Sequence, residues 1–191
     1  MLKDIIVKCA ETLNRNDIIK SLKYVSSIDE ITEEQIQSVV IKIISYYNYI
    51  SNAVFQDYIE LTKSETIRSD ENNKIQYYDF SHCPIKILGV ADASGSNNCA
   101  NVFSGYILTN AANKEYVVTY KYLPPEVHDL TDEVLLDKKI NRRIISFGIA
   151  SEYYASKNLF TESEFWKSKF LYEIFKFKTH KERRLKSNFR L

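Results

Sequence analysis

Two histidines and two cysteines are the side chains that first suggest a metal site or a catalytic nucleophile. His82 adjoins Cys83, while Cys99 and His128 lie further along the chain. These spacings match no structural zinc pattern. A Cys–His nucleophile would also need oxyanion-hole donors, and no glycine run accompanies the pair. The sequence therefore predicts no metal and no cofactor, and it predicts that the chain is not an enzyme.

Four acids follow a double proline and form the other group with possible chemistry. They are Glu126, Asp129, Asp132 and Glu133. Their irregular spacing across a predicted loop does not pair two carboxylates on a rigid element, as acid–base catalysis requires. The pattern favours an edge that faces solvent or another subunit. One alternative for the function is a small hydrolase or nuclease that combines His82 with these acids.

The segments that would position these residues begin with a strand and a helix in the C-terminal half. Tyr116–Tyr122 is predicted as a strand because β-branched and aromatic residues dominate it, and the double proline ends it. A helix is predicted from Asp137 to Lys157, with close helix packing at Gly148. A second helix should begin with a capping box of Thr161 and Glu164.

That second helix is predicted to carry two further features. Phe160 and Phe165 are spaced to form a hydrophobic staple around the cap. A buried stripe should follow, formed by Trp166, Phe170, Ile174 and Phe177.

The N-terminal part is predicted to be helical. Short helices are expected at Leu2–Arg15 and Asp17–Val25, and a helix of roughly 30 residues and about 45 Å from Thr32, capped with Gln35, to Leu61. Its apolar seam alternates steps of four and three: Ile36, Val40, Ile43, Tyr47, Ile50 and Val54. The stripe is wider than a surface helix needs, so Ile44 and Ser51 on its flank are predicted to contact a neighbouring subunit.

The central part changes to short strands and turns, which gives the chain an α+β fold. A mainly helical body, with a long helix and a C-terminal helical hairpin, should surround a small inserted antiparallel β-meander that starts with a hairpin of Glu65–Arg68 and Lys74–Tyr78. The predicted divisions are 1–64 with 134–178 for the helical body, 65–125 for the β-rich insert, and 179–191 for an extended basic tail.

The charge of the chain is concentrated at its C-terminus. Residues 176–191 hold seven Lys and Arg against one acid, whereas the rest of the chain holds 19 basic and 24 acidic residues. No apolar run approaches the roughly 20 residues that a membrane span needs, and the N-terminus has no signal-peptide core. We therefore expect no membrane partner and a chain that stays in the cell that makes it. The basic tail suits an acidic partner.

Several stretches together resemble the head-to-tail connector (adaptor, neck or head-completion) proteins of tailed bacteriophages. These are YYNYISNAVFQDYI, IQYYDFSHCPIKILGVADASG, VVTYKYLPPEV, ISFGIASEYYASKNLFTESEFWKSKF and the basic ending KERRLKSNFRL. The similarity extends from about Thr32 to the C-terminus.

The resemblance implies a virion structural protein that is assembled in the cytoplasm of the bacterial host. Its copies would form a ring, usually of twelve, that docks under the portal, joins it to the next neck or tail protein, and lets DNA pass through the lumen without sequence readout. The tail would bind the portal through Arg183, Arg184, Leu185, Lys186, Phe189, Arg190 and Leu191. We expect residues 183–191 to be disordered in the free subunit and to become ordered on the portal.

The main alternative is a nucleic-acid-binding accessory or regulatory protein that uses the same basic C-terminus. Such a protein would contact phosphates, and its affinity for DNA would fall steeply with added salt. A connector subunit is not expected to bind DNA alone.

Overall fold

The computed structural model describes the backbone of residues 1–92, 94–96, 100–135 and 140–188, and the side chains of these residues as far as residue 176. This part of the chain is a mixed α+β protein. Its helices are α1 (Leu2–Thr12), α2 (Asn16–Leu22), α3 (Glu34–Asp57), α4 (Arg142–Ala155) and α5 (Phe160–Asn188). Its strands are β1 (Leu61–Arg68), β2 (Lys74–Gln76), β3 (Pro84–Asp92), β4 (Ala100–Val102), β5 (Tyr106–Thr109) and β6 (Glu115–Tyr122).

The chain divides into two compact units. The helical unit consists of residues 1–54 and 126–191, and the β unit consists of residues 55–125. The sequence prediction put these divisions later, after residue 64 and before residue 134. The difference arises because β1 already begins at Leu61, and because the loop after Pro125 hydrogen-bonds to α1.

Helix α4 lies at the centre of the helical unit. Nine of its fourteen residues are buried, including Phe147 and Gly148. The hydroxyl of Ser151 donates to the carbonyl of Ser163 on α5 at 3.1 Å. The hydroxyl of Ser146 lies 3.1 Å from that of Thr12 on α1. These small residues let α4 approach its neighbours closely and bond to them, which is the packing that the sequence predicted at Gly148.

The start of α4 differs from the prediction. Its N-cap is Asn141, whose side-chain oxygen accepts from the backbone N–H groups of Arg143 at 3.0 Å and Ile144 at 3.2 Å. Asparagine favours this position because it satisfies donors that have no partner within the helix. Ile140 is therefore outside the helix, and Asp137, the predicted start, lies outside the described residues.

Helix α3 buries the predicted seam but is shorter than predicted. All six seam residues are at most 5% exposed. The helix has 24 residues, or about 36 Å at 1.5 Å per residue. It begins at Glu34, with its first i→i−4 bond made by Gln37 to the carbonyl of Glu33, so the predicted capping box at Thr32 is wrong. It ends at Asp57 because the chain enters β1 at Leu61.

The β unit contains two three-stranded antiparallel sheets instead of a simple meander. Their strand orders are β1–β6–β3 and β2–β5–β4. The predicted hairpin between Glu65–Arg68 and Lys74–Tyr78 is wrong, because β1 pairs with β6 from Leu61↔Tyr122 to Arg68↔Glu115. A turn does form at Asp70–Asn73, where Asn73 has a φ of 63°, but it joins strands of different sheets. The two sheets share one core, made of Ile75, Phe80, Val90, Ile107, Tyr116, Val118 and Tyr120.

Helix α5 continues much further than the predicted hairpin helix. Its backbone is helical from Phe160 to Asn188, whereas an extended tail was predicted from residue 179. Lysine and arginine are good helix formers, so the basic sequence can continue the helix that precedes it. The side chains of residues 177–191, which include Phe177 and the predicted portal-binding group, lie outside the described part of the structure, as does the whole of 189–191.

The packing at Gly148 leads to a prediction about stability. A Cβ added there would lie 2.8 Å from Cγ2 of Ile50 and 3.2 Å from Cε2 of Phe170. Overpacking of this kind costs about 1–3 kcal/mol, which should exceed the roughly 1 kcal/mol that alanine gains over glycine in helix propensity. Chemical denaturation should therefore show that Gly148→Ala lowers the free energy of unfolding.

A matched control is available at Gly89. A Cβ added there would meet nothing within 4 Å. Gly89→Ala should change the free energy of unfolding by no more than about 0.5 kcal/mol. A Gly148→Ala protein that is as stable as the wild type would show that the contact between α3, α4 and α5 is looser than described.

Candidate interaction surface

The start of α5 sets which of its side chains face outward. Asn158 turns the chain with a φ of 59°, and the N–H of Ser163 donates to the carbonyl of Leu159 at 3.0 Å. The helix therefore begins at Phe160, and Thr161 already lies inside its first turn. The capping box predicted for Thr161 and Glu164 is wrong, because Thr161 is already the second residue of the helix and cannot be its N-cap.

The hydrophobic staple predicted for Phe160 and Phe165 is wrong as well. These side chains are 65% and 53% exposed. Of the predicted stripe, Phe170 and Ile174 are buried, and Trp166 is half-buried with its ring centroid 5.4 Å from that of Phe147. The side of α5 that is buried against α4 thus begins at Ser163 and includes neither Phe160 nor Phe165.

Helix α5 has a second apolar side opposite its buried one. Phe165, Tyr172 and Phe175 are 53%, 64% and 49% exposed. At about 100° per residue they lie within an arc of roughly 80°, on the side of the helix away from Phe170 and Ile174. A helix with apolar residues on both sides is typical of one that is covered on both sides.

Two lysines lie over these exposed rings. The Nζ of Lys169 is 4.2 Å from the ring centroid of Phe165 and 4.8 Å from that of Trp166. The Nζ of Lys176 is 4.2 Å from the ring centroid of Tyr172. All three distances are in the range of cation–π contacts. We call this surface the aromatic–lysine face; it comprises Phe165, Lys169, Tyr172, Phe175 and Lys176.

A groove beside α3 is a second candidate surface in the helical unit. It has a volume of about 270 Å³. We call it the α3 groove; its lining residues are Ile28, Ile41, Ile44, Ser45, Asn48, Glu126, Val127 and His128. Asn48 fixes one wall, because its side-chain amide donates to the carbonyl of Val127 at 2.9 Å and accepts from the N–H of Val127 at 3.0 Å.

The acidic loop beside this groove has a structural role that the sequence did not predict. Asp129 Oδ1 accepts from the N–H of Ile28 at 2.9 Å. Asp132 Oδ2 accepts from the N–H of His128 and Asp129, and these bonds hold the pKa of Asp132 below its usual value. The carbonyl of Asp132 accepts from the N–H of Leu2 at 3.0 Å, at the start of α1.

The residues predicted to contact other subunits differ in how far they are buried and in whether they bond within the chain. Ile44 and Ser51 are only 5% and 3% exposed, so the chain itself covers most of their surface, and their contact with a neighbouring subunit stays a prediction. They complete the internal packing of α3, since its buried stripe is wider than the seam alone. Asp129 and Asp132 are half-buried and bond within the chain. Glu126 and Glu133 are exposed, as an interface role requires.

A polar cluster in the β unit is the arrangement closest to catalytic chemistry. Glu65 accepts from the hydroxyl and N–H of Ser81, from Nζ of Lys63 at 2.6 Å and from the hydroxyl of Tyr120 at 3.0 Å. The hydroxyl of Ser81 also lies 2.9 Å from Nδ1 of His82.

The order of contacts in this cluster does not match a nucleophilic triad. In a triad the acid orients the histidine and the histidine takes the serine proton. Here the acid contacts Ser81 directly, and burial, which raises the pKa of Glu65, is outweighed by its hydrogen bonds, so that the pKa is about 2. A carboxylate of that pKa is a weak base. The cluster instead fixes the segment around Ser81 to strands β1 and β6.

The same cluster predicts a dependence of stability on pH. Because the pKa of Glu65 lies below its ordinary value of 4.5, the ionised carboxylate stabilises the fold above that pH. The stabilisation is lost as the pH falls from 4.5 toward 2. Glu65→Gln should lower the free energy of unfolding at pH 7 by about 1–3 kcal/mol and should flatten the loss on acidification. Thermal unfolding from pH 7 to pH 3 measures both effects, and equal acid sensitivity in the two proteins would refute this role.

The histidines and cysteines considered in the sequence are not gathered into one site among the described residues. No group of three or more His, Cys, Asp or Glu side chains able to hold a metal ion is present there. His82 packs against Tyr122, with ring centroids 4.4 Å apart, and Cys83 is exposed. Cys99 lies outside the described residues. His128 lines the α3 groove.

Comparisons with known proteins supply no relative for this chain. No protein-family model matches it, and no curated protein is significantly similar to it. Within residues 1–92, 94–96, 100–135 and 140–188, none of the helices has the length and apolar character needed to cross a membrane. The exposed surfaces and the resemblance carried by the sequence are therefore the features that bear on function.

The outer side of α5 is the main feature that the sequence analysis missed. Phe165, Tyr172 and Phe175 recur with separations of seven and three residues, which is the spacing of one helix face. Phe165 was assigned to a staple, and the other two received no role. A search for a second apolar stripe on the same helix would have found them.

Proposed function

We propose that this chain is a structural subunit of a bacteriophage head-to-tail adaptor ring that docks under the portal and joins it to the next neck or tail protein. The observation that carries the proposal is the second apolar side of α5. Exposed aromatic side chains in one arc are expected of a protein whose surface is completed by other proteins. The resemblance in the sequence supplies the specific assembly.

The two-unit organisation also supports this assignment. In the proposed ring, the helical unit would supply contacts between copies, and the β unit would contact the next component. The β unit is well suited to contact a partner because several of its large apolar side chains are about half exposed: Ile85, Leu88, Val102 and Phe103. DNA would pass through the centre of the ring without being read.

The basic C-terminus would attach the ring to the portal. Residues 183–191 contain Arg183, Arg184, Lys186 and Arg190, interspersed with Leu185, Phe189 and Leu191. Dense positive charge calls for an acidic partner, and the apolar residues provide anchors of the kind that peptide-recognition grooves bind. The nucleic-acid-binding alternative uses the same charges, but it assigns no purpose to Leu185 and Leu191 of the tail.

Loss of the chain from the virus that encodes it tests this proposal. Without a connector, the heads and tails should each assemble but fail to join, and electron microscopy should show tailless heads beside free tails. Supplying the wild-type chain from a plasmid should restore joined particles. A virus that lacks the chain and still makes joined, infectious particles would refute the connector function. Altered expression of viral genes with normal particles would instead favour the regulatory alternative.

A further inference from the structure

We infer that the aromatic–lysine face of one copy packs into the α3 groove of the next copy, in a head-to-tail contact that repeats from copy to copy. The inference rests on the proposed ring function and names the two surfaces that would build the ring. Both surfaces belong to the helical unit, so each copy would carry one of each.

The groove has the chemistry and the size to accept side chains of this face. Ile41 and Val127 give it apolar walls, and Ile41 is 49% exposed. Its volume of about 270 Å³ lies below the roughly 300–1,000 Å³ of most small-molecule pockets. A groove of this size and lining can receive an aromatic side chain from a neighbouring protein.

Charge selects a second copy as the occupant of the groove. The groove is lined by the exposed carboxylate of Glu126, with the carboxylate of Asp129 close by in the same loop. The aromatic–lysine face carries Lys169 beside the rings of Phe165 and Trp166, and Lys176, whose Nζ also lies 3.1 Å from Oε1 of Glu173. Aromatic groups flanked by positive charge therefore meet an apolar groove flanked by negative charge.

The alternative arrangement is a two-fold contact in which two α5 faces pack on each other. That contact would close at a dimer and leave the α3 groove of each copy empty, whereas a contact between the two different surfaces repeats from copy to copy. Such a heterologous contact produces a closed ring when its rotation closes and an open filament when it does not.

Mixing two broken variants of the full chain tests the contact. The first variant, Lys169→Glu with Lys176→Glu, changes the face and keeps the groove. The second, Ile41→Asp, changes the groove and keeps the face. Sedimentation velocity should show that each variant alone self-associates at least tenfold more weakly than the wild type. Their mixture should form dimers that grow no further, because only one intact pair of surfaces remains.

Controls separate this contact from general effects of charge. Lys167→Glu changes charge on a different side of α5 and should associate like the wild type. Adding Glu126→Lys to Lys169→Glu should restore part of the lost association by exchanging the two charges. Circular dichroism should confirm that every variant is folded.

Three results would overturn the inference. The first is a wild-type chain that stays monomeric at about 1 mM, a concentration that corresponds to only roughly 4 kcal/mol of binding free energy. The second is self-association that the face and groove variants leave unchanged. The third is a mixture of the two variants that fails to form dimers. Any of these could occur while loss of the chain still blocks head–tail joining, so the contact can fail while the proposed function stands. Normal joining without the chain would refute the function itself.

Discussion

Replacing Ile43 with aspartate should leave no folded helical unit at neutral pH. Ile43 is fully buried in the centre of the α3 seam. An unpaired carboxylate there would lose its hydration without gaining a partner, and the cost should exceed about 4–5 kcal/mol. Because domains of this size are stable by only about 5–15 kcal/mol, we expect loss of helical circular dichroism or recovery only as aggregate.

Ile41→Asp is the matched control, two residues earlier on the same helix. Its side chain is 49% exposed, so aspartate can remain hydrated and the free energy of unfolding should change by about 0.5 kcal/mol or less. The pair therefore separates folding from association, since the exposed position should affect only contacts between copies. Equal damage from both substitutions would mean that the orientation of α3 differs from the one described.

Removing residues 183–191 should abolish portal binding while the subunit stays folded. The side chains through which α5 packs on α4, Phe170 and Ile174, precede the deletion by more than two helical turns. The melting temperature should therefore stay close to that of the wild type. We expect affinity for the portal to fall at least about a hundredfold, or roughly 2.8 kcal/mol.

A second tail variant distinguishes anchoring from simple charge attraction. Substituting serine for Leu185, Phe189 and Leu191 keeps every basic residue of the segment. If the apolar residues are anchors, this variant should lose most of its affinity for the portal, although its charge is unchanged. If the tail instead grips DNA, the variant should bind duplex DNA as the wild type does, with an affinity that falls steeply with salt.

Local patterns predicted the helices and strands that are specified by residues close together in the sequence. The α3 seam was predicted because apolar residues at alternating steps of four and three can all face one side of a helix. Strand β6 was predicted from its run of β-branched and aromatic residues. In both elements the pattern repeats over several residues, so the tertiary environment agrees with the local preference.

Long-range pairing could not be predicted in the same way. Strand β1 pairs with β6, with Leu61 opposite Tyr122, and no local pattern selects that partner over a hairpin with β2. The hydrogen bonds between Asn48 and Val127 and between Ser81 and Glu65 also join residues that are distant in sequence. The burial of Ile44 and Ser51 depends on such contacts as well, so the sequence alone could not show how much of the flank of α3 the chain itself covers.

The helix boundaries were mispredicted for a different reason. The sequence predicted a start of α4 near Asp137, and the observed N-cap is Asn141; it predicted Thr161 as the cap of α5, and that helix begins at Phe160. Several residue types near a helix boundary can supply a cap, and the local pattern does not decide which one does. A capping pattern in the sequence therefore indicates that a helix begins nearby and leaves its first residue open.

Imaging of the purified chain mixed with the purified portal protein of the same virus tests the central proposal most directly. Electron microscopy should show a closed ring of copies of this chain, with an open central channel, stacked coaxially on one end of the portal ring. The variant that lacks residues 183–191 should leave the portal bare. A chain that never joins the portal under any salt condition, and that binds duplex DNA with strong salt dependence, would contradict the connector function.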